Sequence, residues 1–187
     1  MLLKPQDVVV LLKFVALGQR DWTYAWLGVQ LGMSPSQLHA AVKRALAAQL
    51  AVRSGEHIVA HRRNLEEFLV HGIKYVFVPE RGELTRGMPT GYAAPPLVNY
   101  FASAEEPPPV WPTPDGSVRG QAFSPLYSLV PGAAARDDRL YELLALVDAL
   151  RGGRARERDL AIKELRKRLE HDGQSAKSEH PDTGVGR

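Results

Sequence analysis

The sequence predicts a mostly α-helical protein with a small β-hairpin near its N-terminus, a loop-rich middle and a C-terminal helical segment. Three observations carry that expectation. Apolar residues recur at helical spacing over the first fifty residues and again from Leu140 onward. A short run of alternating apolar residues brackets Ser54-Gly55-Glu56. Proline and glycine crowd the stretch from Pro79 to Pro131, where "EEPPPVWPTPDG" excludes regular helix. With 187 residues, 44% of them hydrophobic, the chain is long enough to bury a core. These composition shifts divide it into a first domain at 1–78, an extended docking segment at 79–135, a helical segment at 136–170 and a tail at 171–187. The tail lacks large apolar residues and is expected to be disordered.

In the first domain, Pro5 suits a first helical turn, "QDVVVLLKFVAL" continues for three turns, and Gly18 ends the helix. Being apolar almost all round, this helix should be buried on more than one side, by its own chain or by a second copy. "RDWTYAWLGVQLGM" follows as a short helix with Asp21 or Thr23 as its cap, Leu27 and Leu31 inward, and Gly32 as a left-handed stop. Ser34 then caps a third helix, with Pro35 at its first position and Gln37 completing a capping box. At about 100° per residue, Leu38, Ala41, Val42, Ala45, Leu46 and Gln49 fall on one side of that helix. Ser36, His39, Ala40, Lys43 and Ala47 fall on the other, flanked by Gln37 and Arg44, and their small size leaves a surface low enough to approach a groove. "LAVRSGEHIVAHRR" predicts two short strands, Ala51–Arg53 and His57–Ala60. Asn64 is the expected cap of a further helix, "LEEFLVHGIKYVF", fraying near Gly72 or Pro79.

The middle segment holds Tyr92, Leu97, Tyr100, Phe101, Trp111, Phe123 and Tyr127, which argue for an extended chain packed against something and against plain disorder. A last long helix, "DDRLYELLALVDALRGGRARERDLAIKELRKRLE", is interrupted at Gly152-Gly153 and carries an apolar stripe from Leu140 to Leu150. Its basic run after the glycines reads as a solvated face laced with neighbouring ion pairs.

Charge is distributed unevenly. The total is 24 basic against 21 acidic residues, but residues 1–75 hold nine basic and five acidic ones, residues 76–135 three and five, and residues 136–187 twelve and eleven. The basic excess therefore sits in the first domain, where it favours a polyanionic partner. There is no cysteine, which removes disulfides, thiolate metal sites and thiol nucleophiles. "VVVLL" is too short to span a bilayer and "MLLKPQD" has no signal-peptide pattern, so a cytoplasmic protein without a membrane partner is expected.

The order helix, helix, tight turn, helix in "TYAWLGVQLGMSPSQLHAAVKRALAAQL", followed by "AVRSGEHIVAHR", resembles the winged helix-turn-helix of bacterial transcriptional regulators. The likeness has a MarR-like or Rrf2-like flavour and covers about Met1 to Tyr75. It implies a homodimeric regulator that binds double-stranded DNA sequence-specifically by inserting the third helix in the major groove. Under that resemblance Ser34, Ser36 and Gln37 approach phosphates or base edges at the helix start, where free amides and the helix dipole favour anions. Gln37 suits an adenine edge, in competition with its capping role. His39, Lys43 and Arg44 reach bases or backbone. Arg53 and His57 on the hairpin, with His61, Arg62 and Arg63 after it, touch sugar-phosphate or the minor groove. Glu56 in the hairpin turn would repel phosphate unless it points away.

A second expectation is an antitoxin-like or adaptor protein that binds a partner protein through residues 79–131. Within that segment "RGELTRGMPTGYAAPPL" suggests a ligand or partner loop of Arg81, Thr85, Arg86, Thr90 and Tyr92, with Arg86 as the charge and Tyr92 as a stacking platform. It lacks the spacing of a phosphate-binding loop, and a loop packed on the first domain is the plainer account. No enzyme is predicted. His57 and His61 lack a metal-ligand partner at a recognisable interval, no serine sits in a nucleophile elbow, and the acidic pairs are adjacent in sequence. Neither cofactor nor metal is expected.

Overall fold

The computed structural model describes residues 2–101 and 105–170; the expected disordered tail lies outside them. Helix α1 spans Pro5–Leu17, with Pro5 in its first turn, the Asp7 carboxylate accepting the Lys4 N–H at 2.8 Å, and Gly18 at φ 63° beyond its end. Every residue from Asp7 to Leu17 is buried. The cover comes from later parts of the same chain, which pack on it from several directions, so α1 leaves no apolar face for a second copy.

Helix α2 (Tyr24–Leu31) is capped by Thr23, whose hydroxyl accepts the Trp26 N–H at 3.1 Å, and it stops at Gly32 with φ 69°. Helix α3 (Pro35–Ala47) begins with a complete capping box. Gln37 N–H donates to Ser34 Oγ at 3.3 Å and Ser34 N–H donates to Gln37 Oε1 at 2.9 Å. At its C-terminal end Gln49 takes φ 58°, and the N–H groups of Leu50 and Gln49 bond to the carbonyls of Ala45 and Leu46, a Schellman arrangement. Gln49 is thus turned outward, contrary to its helical phase, because the helix has already ended there.

Strands β1 (Ala51–Ser54) and β2 (His57–Ala60) pair in register from Ala51↔Ala60 to Ser54↔His57 around a two-residue loop that opens with Gly55 at φ 60°. Helix α4 (Arg62–Glu67) is capped by His61, whose Nδ1 accepts the Asn64 N–H at 3.2 Å. Asn64, the expected cap, instead donates from its side chain to the carbonyl of Gln49, tying α4 to the end of α3. A π-helical turn at Phe68–Gly72 leads into α5 (Ile73–Val76).

The segment expected to be extended and loop-rich folds into a small sheet. Strands β3 (Arg81–Pro89), β4 (Pro109–Pro112) and β5 (Val118–Phe123) each pair with both others, so the sheet closes on itself. Proline and glycine disguised it. Pro89, Pro109 and Pro112 stand at strand ends, where a missing N–H costs least. Gly87 and Gly120 lie where the closing strands touch, and a Cβ on either would collide with the backbone carbonyl of Trp111 or Pro108. The segment's own aromatic and apolar residues, Leu97, Trp111 and Phe123 among them, are buried where the sheet meets the rest of the chain.

Helix α6 (Val130–Ala134) leads to α7 (Asp138–Gly152), and the double glycine then separates α7 from α8 (Ala155–Glu170), as its composition predicts. Helix α7 touches α1, α5, α6, α8 and the 3₁₀ turn at Gly91–Ala93. Buried apolar residues from Val8 to Leu169 form a single cluster, so the units drawn along the sequence share one core.

Three buried ionic contacts cross that core. The Arg44 guanidinium donates two hydrogen bonds, of 2.7 and 2.6 Å, to Asp7. Lys13 Nζ lies 2.6 Å from Asp137, the N-cap of α7. Asp148 accepts from Thr90 Oγ1 at 2.8 Å, Trp111 Nε1 at 2.6 Å and Arg151 Nη1 at 2.6 Å. Replacing Asp148 by Ala strands Arg151 in the core. Urea denaturation should show a loss of about 3–5 kcal/mol, the cost of breaking one side of a buried pair.

Burial works against the charge on Asp137, but the hydrogen bond from Lys13, with those from the Leu140 and Arg139 amides, outweighs it and holds this carboxyl below the usual range. A depressed folded value means the group stabilises the fold above the ordinary carboxylate value of about 4, and that this share is lost as pH falls through the depressed value. Asp137→Asn should therefore unfold at lower urea concentration than the natural chain at neutral pH. The gap between the two should narrow as pH falls through the depressed value.

Candidate nucleic-acid interface

The capping box and the buried face of α3 set which of its side chains face solvent. Leu38, Ala41, Val42 and Ala45 are buried, whereas Ser34, Ser36, Gln37, His39, Ala40, Lys43 and Ala47 are exposed. The N-terminal half of α3 therefore presents small and polar side chains outward. His39 is not loose on that surface: its ring stacks on Tyr24 with centroids 3.7 Å apart and planes at 25°. Burial raises the Tyr24 phenol above its ordinary value, and the positive charge of Arg53 works against that rise. The hairpin arginine is thus within electrostatic reach of the stack, and α2, α3 and β1 meet there.

Several expected contacts are already engaged within the chain. Gln37 holds its capping box and its Nε2 reaches Tyr127 Oη at 3.5 Å, so an adenine edge competes with two existing partners. Arg44 is withdrawn from the outward face altogether: its side chain is 12% exposed and its fork is closed on the carboxylate of Asp7. The hydrogen bonds it donates to Asp7 also hold the guanidinium further above its usual value. Arg62 likewise donates to the carbonyl of Leu169 at 2.8 Å, covering the end of α8. Both were expected to touch nucleic acid, and both instead satisfy buried or helix-terminal acceptors. His57 turns toward the α1–α2 connection, with Nε2 3.7 Å from Asp21 Oδ1, while Glu56 stands exposed at the hairpin tip. Lys43, Arg53 and Arg63 remain exposed, and among the described residues none of them pairs with a carboxylate.

Compared with models of known protein families, with curated proteins and with solved structures, the chain matches none.

The expected ligand loop is divided by the sheet. Thr90 is buried against Asp148, and Thr85 bonds through its hydroxyl to the carbonyl of Arg86. Arg86 lies in mid-strand on β3, whereas Arg81 and Tyr92 line a cavity of about 300 Å³ beside Gly152, with Glu106, Gln121 and Arg154. Tyr92 is thus brought together with Arg81 and not with Arg86. Burial, then the negative charges of Glu157 and Glu106, raise its phenol, against Arg154 and Arg81. Arg154 is itself closed on Glu106 by two hydrogen bonds, of 2.7 and 2.8 Å. The cavity walls thus carry two arginines, Arg81 and Arg154, against three acids, Glu106, Asp148 and Glu157. Among the described residues no group of three or more His, Asp or Glu side chains is placed to hold a metal, and no helix is long and apolar enough to cross a membrane.

Sequence reasoning missed Asp7 and Tyr24. An acid inside an otherwise apolar helix is a signal that a cation must reach it, and an aromatic one turn before an inward leucine is a candidate support for the neighbouring helix. The separation of roles on α3 is testable. Arg44→Ala should cost about 3–5 kcal/mol in urea denaturation because it strands Asp7, whereas Lys43→Ala should stay within about 0.5 kcal/mol of the natural chain.

Proposed function

We propose that the protein is a sequence-specific DNA-binding regulator of the winged helix-turn-helix kind, with α3 as its recognition helix. The observation that supports this most is the division of α3. A row of buried residues fixes the helix against α1, and its opposite face, small at Ser36, Ala40 and Ala47, stands free with Lys43. A helix enters a major groove only where its outer side chains are short enough for close approach and its position is held by the rest of the domain. Arg53 on the hairpin and Arg63 at the start of α4 supply exposed cations for the flanking phosphates.

The engaged residues refine this reading. Base contacts fall to Ser36, His39 and Lys43, with Gln37 available only if it releases Tyr127 or its cap. Phosphate contacts fall to Arg53 and Arg63, and Arg44 and Arg62 act through the fold. Stacking on Tyr24 fixes the plane of the His39 ring, which restricts the edges it can address. The domain is completed by one chain, so DNA binding here does not need a second copy to bury α1.

The test is a titration of the purified chain against a duplex from its own upstream region and a scrambled duplex of equal length, at several salt concentrations. The upstream duplex should bind more tightly by at least about a factor of 10³, with log K falling as log salt rises. Lys43→Ala should lower affinity for the upstream duplex more than for the scrambled one, as loss of a base contact does, whereas Arg53→Ala should weaken both alike and reduce the salt slope by about 1. Equal binding of both duplexes would leave a general nucleic-acid binder. No binding to either would remove the proposal.

A further inference from the structure

Arg86 and Arg119 are direct cross-strand partners on β3 and β5. Opposed residues of an antiparallel pair project from the same face of the sheet, with Cβ atoms about 5 Å apart. Both arginines are exposed, and among the described residues neither guanidinium has an ion-pair or hydrogen-bond partner. Like charges directly opposite each other work against strand pairing. A small sheet that keeps such a pair uncompensated is built less stably than it need be.

The same face continues along both strands. Leu84 faces Gln121 and Arg81 faces Phe123, whose ring is buried under the Arg81 guanidinium, and the irregularity between Arg81 and Leu84 absorbs the odd residue, so the exposed side chains of this face are Arg81, Leu84, Arg86 and Arg119. Arg81 is held in this row: Nη1 donates to Gln121 at 3.4 Å, Nη2 donates to the Gly152 carbonyl at 2.7 Å, and its guanidinium lies over the Phe123 ring at 5.3 Å. Residues 76–135 contain three basic side chains, and all three stand in this one row.

We propose that the row Arg81, Arg86 and Arg119 binds the phosphate backbone of duplex DNA, a second electrostatic contact that rests on the DNA-binding reading of α3 and the hairpin. Guanidinium forks match phosphate oxygens in pairs, and a bound phosphate placed between Arg86 and Arg119 turns their mutual repulsion into shared attraction. An acidic protein fits the face less well. The centre of a protein interface needs aromatic or apolar anchors and is depleted of charge, whereas this row offers Leu84 as its exposed apolar residue. Backbone contacts to nucleic acid need no such anchor.

The experiment uses the full chain and the double variant R86Q/R119Q. Anisotropy titrations with the upstream duplex over a range of salt are run beside K43A, thermal unfolding is recorded without DNA, and poly-L-glutamate serves as a second polyanion. The expected result is a salt slope lower by about 1–2 and an affinity at about 0.1 M salt lower by tenfold or more. The melting temperature should be unchanged or higher, since repulsion has been removed. An unchanged slope in R86Q/R119Q, with K43A still weakened, overturns this proposal and leaves the α3 reading standing. Absence of salt-dependent duplex binding by the natural chain overturns both. A melting temperature lower by several degrees makes the arginines structural. An equal loss of poly-L-glutamate binding assigns the face to an acidic protein instead.

Discussion

The carboxylate of Asp148 is the point on which the C-terminal half of the molecule depends. It sits in an apolar stretch of α7 and receives donors from three elements: Thr90 beyond the end of β3, Trp111 on β4, and Arg151 one turn along its own helix. Arg151 in turn donates to the carbonyls of Phe77 and Ser124, which lie just before β3 and just after β5. One ion pair therefore gathers the entry, the closure and the exit of the sheet onto a single helical turn. A buried pair of this kind adds little net stability against an apolar replacement, because desolvation offsets the Coulombic gain. Its effect is positional. A three-stranded sheet closed by short pairings has few hydrogen bonds of its own to fix where it sits, and four directional contacts around Asp148 and Arg151 supply that placement.

The same logic applies to α1. A helix that is apolar all round can rotate about its axis with little change in buried area, so hydrophobic burial alone does not choose its orientation. Asp7 near one end is held by Arg44 of α3, and Lys13 toward the other is held by Asp137 at the start of α7. Two fixed points, nearly two turns apart and directed at different neighbours, define both rotation and register. The cost falls on the surface of α3. Arg44 would otherwise stand beside Lys43 as a second cation next to the outward face, and its withdrawal narrows the electrostatic footprint of that helix to Lys43 and the nearby Arg53.

Helix starts and stops were legible because their signals are local. Pro5, Ser34-Pro35 with Gln37, Gly18, Gly32 and the double glycine at 152 and 153 each act within one turn, and the structure places helix boundaries at them. The sheet was not legible. Its strands are short, their ends are prolines, and the two glycines that permit closure look the same in sequence as glycines that break structure. Only the partner strand's approach distinguishes them. The fate of individual arginines was also hidden. Lys43 and Arg44 are adjacent in sequence, yet one faces solvent and the other faces Asp7, thirty-seven residues earlier. Only a three-dimensional contact decides between them, although the solitary Asp7 and Lys13 in α1 did mark that buried partners had to exist.

Segment charge is for the same reason a poor map of the surface field. The basic excess of residues 1–75 includes Lys13 and Arg44, each neutralised inside the fold, and Arg62, which serves the end of α8. What reaches solvent near α3 is a smaller set. Residues 76–135 are acidic by count, yet their three arginines line one face of the sheet while Glu106 is spent on Arg154. A sum over sequence cannot register that some charges cancel within the core and others align on one face. For a polyanion approaching from solution, the aligned exposed charges set the attraction. The sheet that the sequence concealed is thus as much a part of the protein's electrostatic surface as the helix whose capping box announced it.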